Sequence, residues 1–117
     1  MKKAIVFVRS APYGVATSAE AFRAIIGIAA MGIHTDVIFA DDGIYVGMKN
    51  QKPEDIGMKN IGAFYSNLKE YDVKAYFLSE CLALRDLDKD DILFGEVIDR
   101  STLKDMIDSS DVVLQFT

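Results

Sequence analysis

Cys81 is the only cysteine among 117 residues and the one soft nucleophile of the chain. It follows an apolar run, Val73 to Leu78, and stands near a predicted helix start. A thiol in such a place gains reactivity when its thiolate is stabilised. Arg85 lies one helical turn further on and would support the anion, whereas the adjacent Glu80 would oppose it. The competing reading is a half-buried cysteine that packs as a small hydrophobe. Spacing alone does not choose between the two. A single cysteine allows no internal disulfide, and with one histidine there is no Cys/His cluster of the zinc type.

Two loops invite a ligand reading. "SAPYG", residues 10 to 14, follows an apolar strand and opens a helix, where anions are favoured. A P-loop needs two glycines, a lysine and Ser/Thr at fixed spacing, and a dinucleotide turn needs three glycines. This loop has one glycine and no lysine. It reads as a rigid turn shaped by Pro12 and Gly14. "DDGIY", residues 41 to 45, pairs two carboxylates but lacks the alternating ligands of a calcium loop, and Asp-Gly is ordinary turn chemistry. His34 falls at the start of a strand, on the rim away from these loops, and reads as structural. Glu96, Asp99 and Arg100 are placed near the reactive rim, although an acid beside an arginine is also a common surface pair.

These residues need elements to hold them. The first strand, Ala4 to Val8, is apolar on both faces, as a central parallel strand requires. Thr17 and Glu20 form a capping box ahead of Phe22, Ile25, Ile26, Ala29 and Ala30, which share a helical face, and Gly32 ends that helix. Further strands are predicted at Asp36 to Ala40, Val73 to Leu78, Leu93 to Ile98 and Val112 to Phe116. The stretch from Ile44 to Met58 is ambiguous. Helices are predicted from about Asn60, over Cys81 to Leu87, and from a Ser101 cap through Leu103, Met106 and Ile107. Strands alternating with helices give an α/β fold: a three-layer α/β/α sandwich on a mainly parallel five-stranded sheet. Ligands of such sheets sit beyond the carboxyl ends of the strands. That rim collects Ser10 to Gly14, Asp41 to Gly43, Ser79 to Cys81, and Asp99 with Arg100.

Length suits a single domain over residues 1 to 117, able to bury roughly two-thirds of its surface. Half of the residues are hydrophobic and mean hydropathy is +0.15, an apolar excess that subunit contacts would cover. Net charge is −5, which disfavours direct nucleic-acid binding. No run reaches the roughly 18 apolar residues of a membrane span. Met1-Lys2-Lys3 leads straight into strand residues, too short for a signal peptide, so the expected location is the cytoplasm.

Five segments in order carry a resemblance: "APYG" after the first strand, "DDGIY" after the second, "IGMKN" at 56 to 60, "LRDLDKDDI" at 84 to 92, and the closing "SSDVVLQF". Together they resemble the DsrE/DsrF/TusC family of sulfur-relay proteins, over nearly the whole chain and most closely in the DsrF/TusC branch. The resemblance implies a cytoplasmic subunit that assembles with homologous DsrE/DsrF-type subunits into trimers or hexamers, as in DsrEFH and TusBCD. It implies persulfide transfer during sulfur oxidation or tRNA 2-thiolation, sulfur-carrier proteins as partners, and no cofactor. In the DsrE/TusD branch the sulfur rides on a cysteine just after the third strand, ahead of an Arg-Gly pair. Matching that arginine to Arg85 puts Asp86 at the glycine and, counted without a gap, Leu78 at the carrier position. Cys81 falls three residues later. The resemblance therefore implies mainly a scaffold and partner surface, with Tyr13, Gly14, Asp42, Gly43 and Tyr45 on the assembling rim, and Tyr13 and Tyr45 as aromatic anchors together with the Met48 to Met58 segment. Two alternatives stay open: a homo-oligomeric sulfurtransferase using Cys81, and a binding module for a nucleotide or small anion.

Overall fold

Five short apolar runs become five strands, all paired in parallel. The computed structural model describes residues 2–9, 17–48 and 68–116. The elements are β1 (Lys3–Val8), α1 (Thr17–Ala30), β2 (His34–Phe39), a 3-10 segment (Asp41–Gly47), a 3-10 turn (Leu68–Tyr71), β3 (Lys74–Leu78), α2 (Ser79–Ala83), a 3-10 turn (Lys89–Asp91), β4 (Glu96–Ile98), α3 (Arg100–Asp108) and β5 (Val112–Phe116). Strand order is β4-β3-β2-β1-β5. The chain steps in one direction from β1 to β4, then returns across the sheet to β5. Because parallel crossovers are right-handed, the outward steps lay α1 on one face and the return lays α3 on the other. The sheet is thus covered on both sides, and all four strand pairings among the described residues are parallel.

Burial follows strand order. β1 and β2 in the middle are almost closed to solvent, with Ile5, Val6, Val8, Val37, Ile38 and Phe39 fully buried. Phe39 and Phe77, neighbours in register, stack at 4.8 Å, and Phe94 meets both edge-on at 5.9 and 5.7 Å. Offset and edge-on pairs of this kind add to their area burial. β5 is different: Val112, Val113 and Leu114 are 47%, 43% and 37% exposed.

Several boundaries differ from expectation for physical reasons. β4 begins at Glu96 rather than Leu93, because Gly95 takes φ +85° and Phe94 turns inward to the aromatic cluster. α2 spans Ser79–Ala83 and not Cys81 to Leu87; Asp86 at φ +55° ends the turn that follows it. The cap of α3 is Asp99, whose Oδ1 accepts the Thr102 N–H at 2.8 Å, not Ser101. Gly32 does close α1, at φ +81° with its N–H on the Ala29 carbonyl. Ser10, Pro12, Tyr13, Gly14, the segment beyond Met48 and most of the helix expected from Asn60 lie outside the described residues. No described helix is long and apolar enough to cross a membrane.

Candidate functional site

The carboxyl ends of β1, β2 and β3 meet under the segment Asp41–Gly47. Val8 ends β1, and its carbonyl accepts the Ala40 N–H at 3.1 Å. Gly43 lies so close above that a Cβ would collide with the Val8 carbonyl. Gly47 presses likewise on the Phe77 ring. Ile44 and Val46 are fully buried between these two contacts. The far end is fastened by the Leu93 N–H on the Gly47 carbonyl, 2.6 Å, and by an antiparallel bridge between Met48 and Ile92. The segment is a roof over the strand ends.

Cys81 lies under the near edge of this roof, in the short helix that leaves β3. It is a free thiol, 9% exposed. The Asp41 N–H donates to its Sγ at 3.3 Å. Asp41 takes φ +51°, a left-handed conformation that costs most residues but that Asp tolerates. Two arginines hold the roof. Arg9, next after β1, donates from Nε to Asp41 Oδ2 at 2.6 Å and from Nη1 to Gln115 Oε1 at 2.9 Å. Arg85 donates from Nη2 to Asp42 Oδ1 at 3.0 Å and from Nη1 to the Cys81 carbonyl at 3.2 Å. The hydrogen bond to Asp42 holds the Arg85 guanidinium even more firmly protonated than usual.

The expected residues sort as follows. Cys81, Arg85, Asp42, Gly43 and Tyr45 gather at one rim; Tyr13 and Gly14 lie outside the described residues. Arg85 reaches the carbonyl of Cys81 and not its sulfur; the described donor to sulfur is a backbone N–H. α2 has only five residues, so its end contributes little dipole to the thiol. The Glu80 carboxylate accepts from Ser79 Oγ at 2.7 Å and faces Arg100 at 3.9 Å. Glu96 starts β4 instead of ending it, and Asp99 is spent as a helix cap. His34 sits at the opposite rim, 3.5 Å from the buried Asp36, which also faces Lys3 at 3.6 Å. Among the described residues no group of His, Cys, Asp and Glu could hold a metal ion.

Two further residues of the site, Arg9 and Gln115, do not stand out in the sequence pattern. Arg9 had a signal, since it directly follows the first strand and so must stand at the strand-end rim. Gln115 had none, because its place depends on β5 lying beside β1.

A parallel α/β sheet with a thiol, two arginines and two aspartates at the carboxyl ends of its strands defines the class: a small α/β protein with a strand-end site. The profile of the DsrE/DsrF-like family matches residues 2–116, and the chain belongs to that family. It is 30% identical to the intracellular sulfur oxidation protein DsrF of Allochromatium vinosum, covering 99% of this chain and 97% of that one. It is 32% identical to protein TusC of Buchnera aphidicola subsp. Acyrthosiphon pisum, covering 97% and 99%. The crystal structure of the YchN protein from E. coli superposes with a TM-score of 0.86 at 23% identity, over 99% of this chain and all of that one, a likeness of fold.

Proposed function

We propose that this protein is a subunit of a persulfide sulfur-relay assembly, of the DsrF and TusC kind, that works mainly as scaffold and partner surface. The observation that carries the reading is the similarity to DsrF and TusC over nearly the full length, at 30% and 32% identity. The site agrees with it: the thiol is buried, and the aspartates beside it are taken up by arginines. Its partners are homologous DsrE/DsrF-type subunits, joined in a trimer or hexamer in the cytoplasm, with Tyr45 and the neighbouring rim as contact surface. Sulfur oxidation or tRNA 2-thiolation would be the pathway served, with sulfur-carrier proteins as the outer partners.

A second reading makes Cys81 a carrier, and one contact favours it: the Asp41 backbone N–H donates to its sulfur and would hold it in place for transfer. The Cys81 thiolate would attack the outer sulfur of a donor persulfide, leaving a Cys81 persulfide and the donor's thiolate. Incubation with a persulfide donor followed by intact mass, with Cys81→Ser as control, separates the two. A folded protein that gains no sulfur yet binds a DsrE-type subunit on gel filtration supports the scaffold reading. One added sulfur atom, absent in Cys81→Ser, makes the chain a carrier and overturns it.

A further inference from the structure

Arg9 lies outside every chemical role assigned so far, yet it is bound on three sides. Its backbone N–H donates to the Phe116 carbonyl at 2.9 Å, its Nη1 to Gln115, and its Nε to Asp41. The first fixes the Arg9 backbone against β5 and the second its guanidinium; the third pins Asp41. Asp41 in turn supplies the N–H that lies on the Cys81 sulfur, and it does so from a left-handed conformation. Between that clasp and the matching Arg85–Asp42 clasp runs the edge of the roof that closes over the thiol.

We propose that Arg9 is a positioning residue for Cys81: by clasping Asp41 it holds the roof closed and so sets how fast reagents, sulfur donors included, reach the thiol. The roof is anchored at its far end by buried Ile44 and Val46 and by the Leu93–Gly47 hydrogen bond; at its near end the backbone is held by the Ala40 N–H on the Val8 carbonyl and by Gly43 against that carbonyl, and the Asp41 and Asp42 side chains between them are held by charge. Both clasps are partly open to solvent, with Arg9 and Asp41 side chains 43% and 47% exposed. Exposed pairs of this sort shift an equilibrium by a factor of about two to five. They are also screened by salt. The clasped side chains of the near edge are thus a gate that opens without unfolding the sheet, and a partner bearing its own charged groups can compete for Arg9 or Asp41 and open it. The purpose of the gate rests on the reading in which Cys81 exchanges sulfur; its mechanics do not.

The test is the second-order rate of Cys81 alkylation by iodoacetamide, a neutral reagent, in the native full chain. With one cysteine, the mass gain reports that site alone. Arg9→Ala and Asp41→Asn are each expected to alkylate about threefold faster than wild type, and the double variant no faster than either, because both remove one contact. Arg9→Lys keeps a cation and restores part of the slow rate. The wild-type rate rises between low salt and about 0.5 M salt, where the Debye length falls to a few Å; that of Arg9→Ala rises less. Ile25→Val, which weakens the core beneath α1, keeps the wild-type rate and its salt dependence. Equal rates in wild type and Arg9→Ala, a slower rate in Arg9→Ala, or an equal gain in Ile25→Val would each overturn the gate. No sulfur donor enters this measurement. The gate therefore fails or stands separately from the loading experiment that decides whether Cys81 carries sulfur.

Discussion

A methyl group is enough to test how the roof is built. Gly43 does not occupy the left-handed region, so its role is not conformational freedom. It is there because the chain passes against the Val8 carbonyl with no room for a Cβ. The obstacle is backbone at the end of a central strand, which cannot turn aside as a side chain can. Gly43→Ala is therefore expected to destabilise by about 1–3 kcal/mol, read as a fall in the denaturant midpoint. An unchanged midpoint would mean that the roof sits higher than described. The same residue shows what is legible at this scale. "DDG" reads as turn chemistry, and a 3-10 segment over Asp41–Gly47 is what forms. The reason for the glycine was hidden, because it depends on which strand end lies below. Asp86 is the converse case. It is not a glycine, yet its φ of +55° is the conformation in which glycine is at ease.

Elements are legible where apolar runs are long, and fail where a side chain leaves its run. β1 and β5 fall within one residue of expectation because "AIVFV" and "VVLQF" admit little else. β4 is overextended by Leu93 and Phe94, which look like strand residues; Phe94 instead serves the cluster with Phe39 and Phe77. The start of α3 is ambiguous for another reason. "DRST" offers three capping side chains within four positions, and spacing cannot choose among them. Geometry selects Asp99, and the Thr102 N–H holds its carboxyl below the usual carboxylate range. A carboxyl with a lowered folded pKa adds stability above its unfolded value, near pH 4, and loses it as pH falls through the folded one. Asp99→Ala should therefore lower Tm at neutral pH by no more than a few degrees. The gap from wild type should close in acid, well below pH 4. A gap that is constant with pH would remove the cap from the account. Ser101→Ala, by contrast, should leave Tm where it is.

At the scale of the whole molecule, the least legible feature is strand order, and it is what joins the site to the outside. Periodicity identifies β5 as a strand but not as the neighbour of β1. Only that neighbourhood brings Gln115 to Arg9, and hence the edge of the sheet to Cys81. The edge is unusual for a strand left to water. Proteins commonly guard such edges with charge, proline or a bulge. "VVLQF" has neither charge nor proline, its outer side pairs with no described strand, and three consecutive apolar residues stand more than a third exposed. With a net charge of only −5 to keep copies apart, such an edge favours cover by another subunit, as the proposed assembly requires. Val113→Asp places a charge on that strand at a residue already 43% exposed, so it should cost the fold little. Light scattering after gel filtration should find the wild type well above the 13.0 kDa of one chain and the variant shifted toward it, with Tm reduced only by what assembly contributed. Equal masses would take β5 out of the interface and leave the Tyr45 rim as the contact surface. A variant that loses mass and unfolds together would mean that the edge strand is stable only when covered.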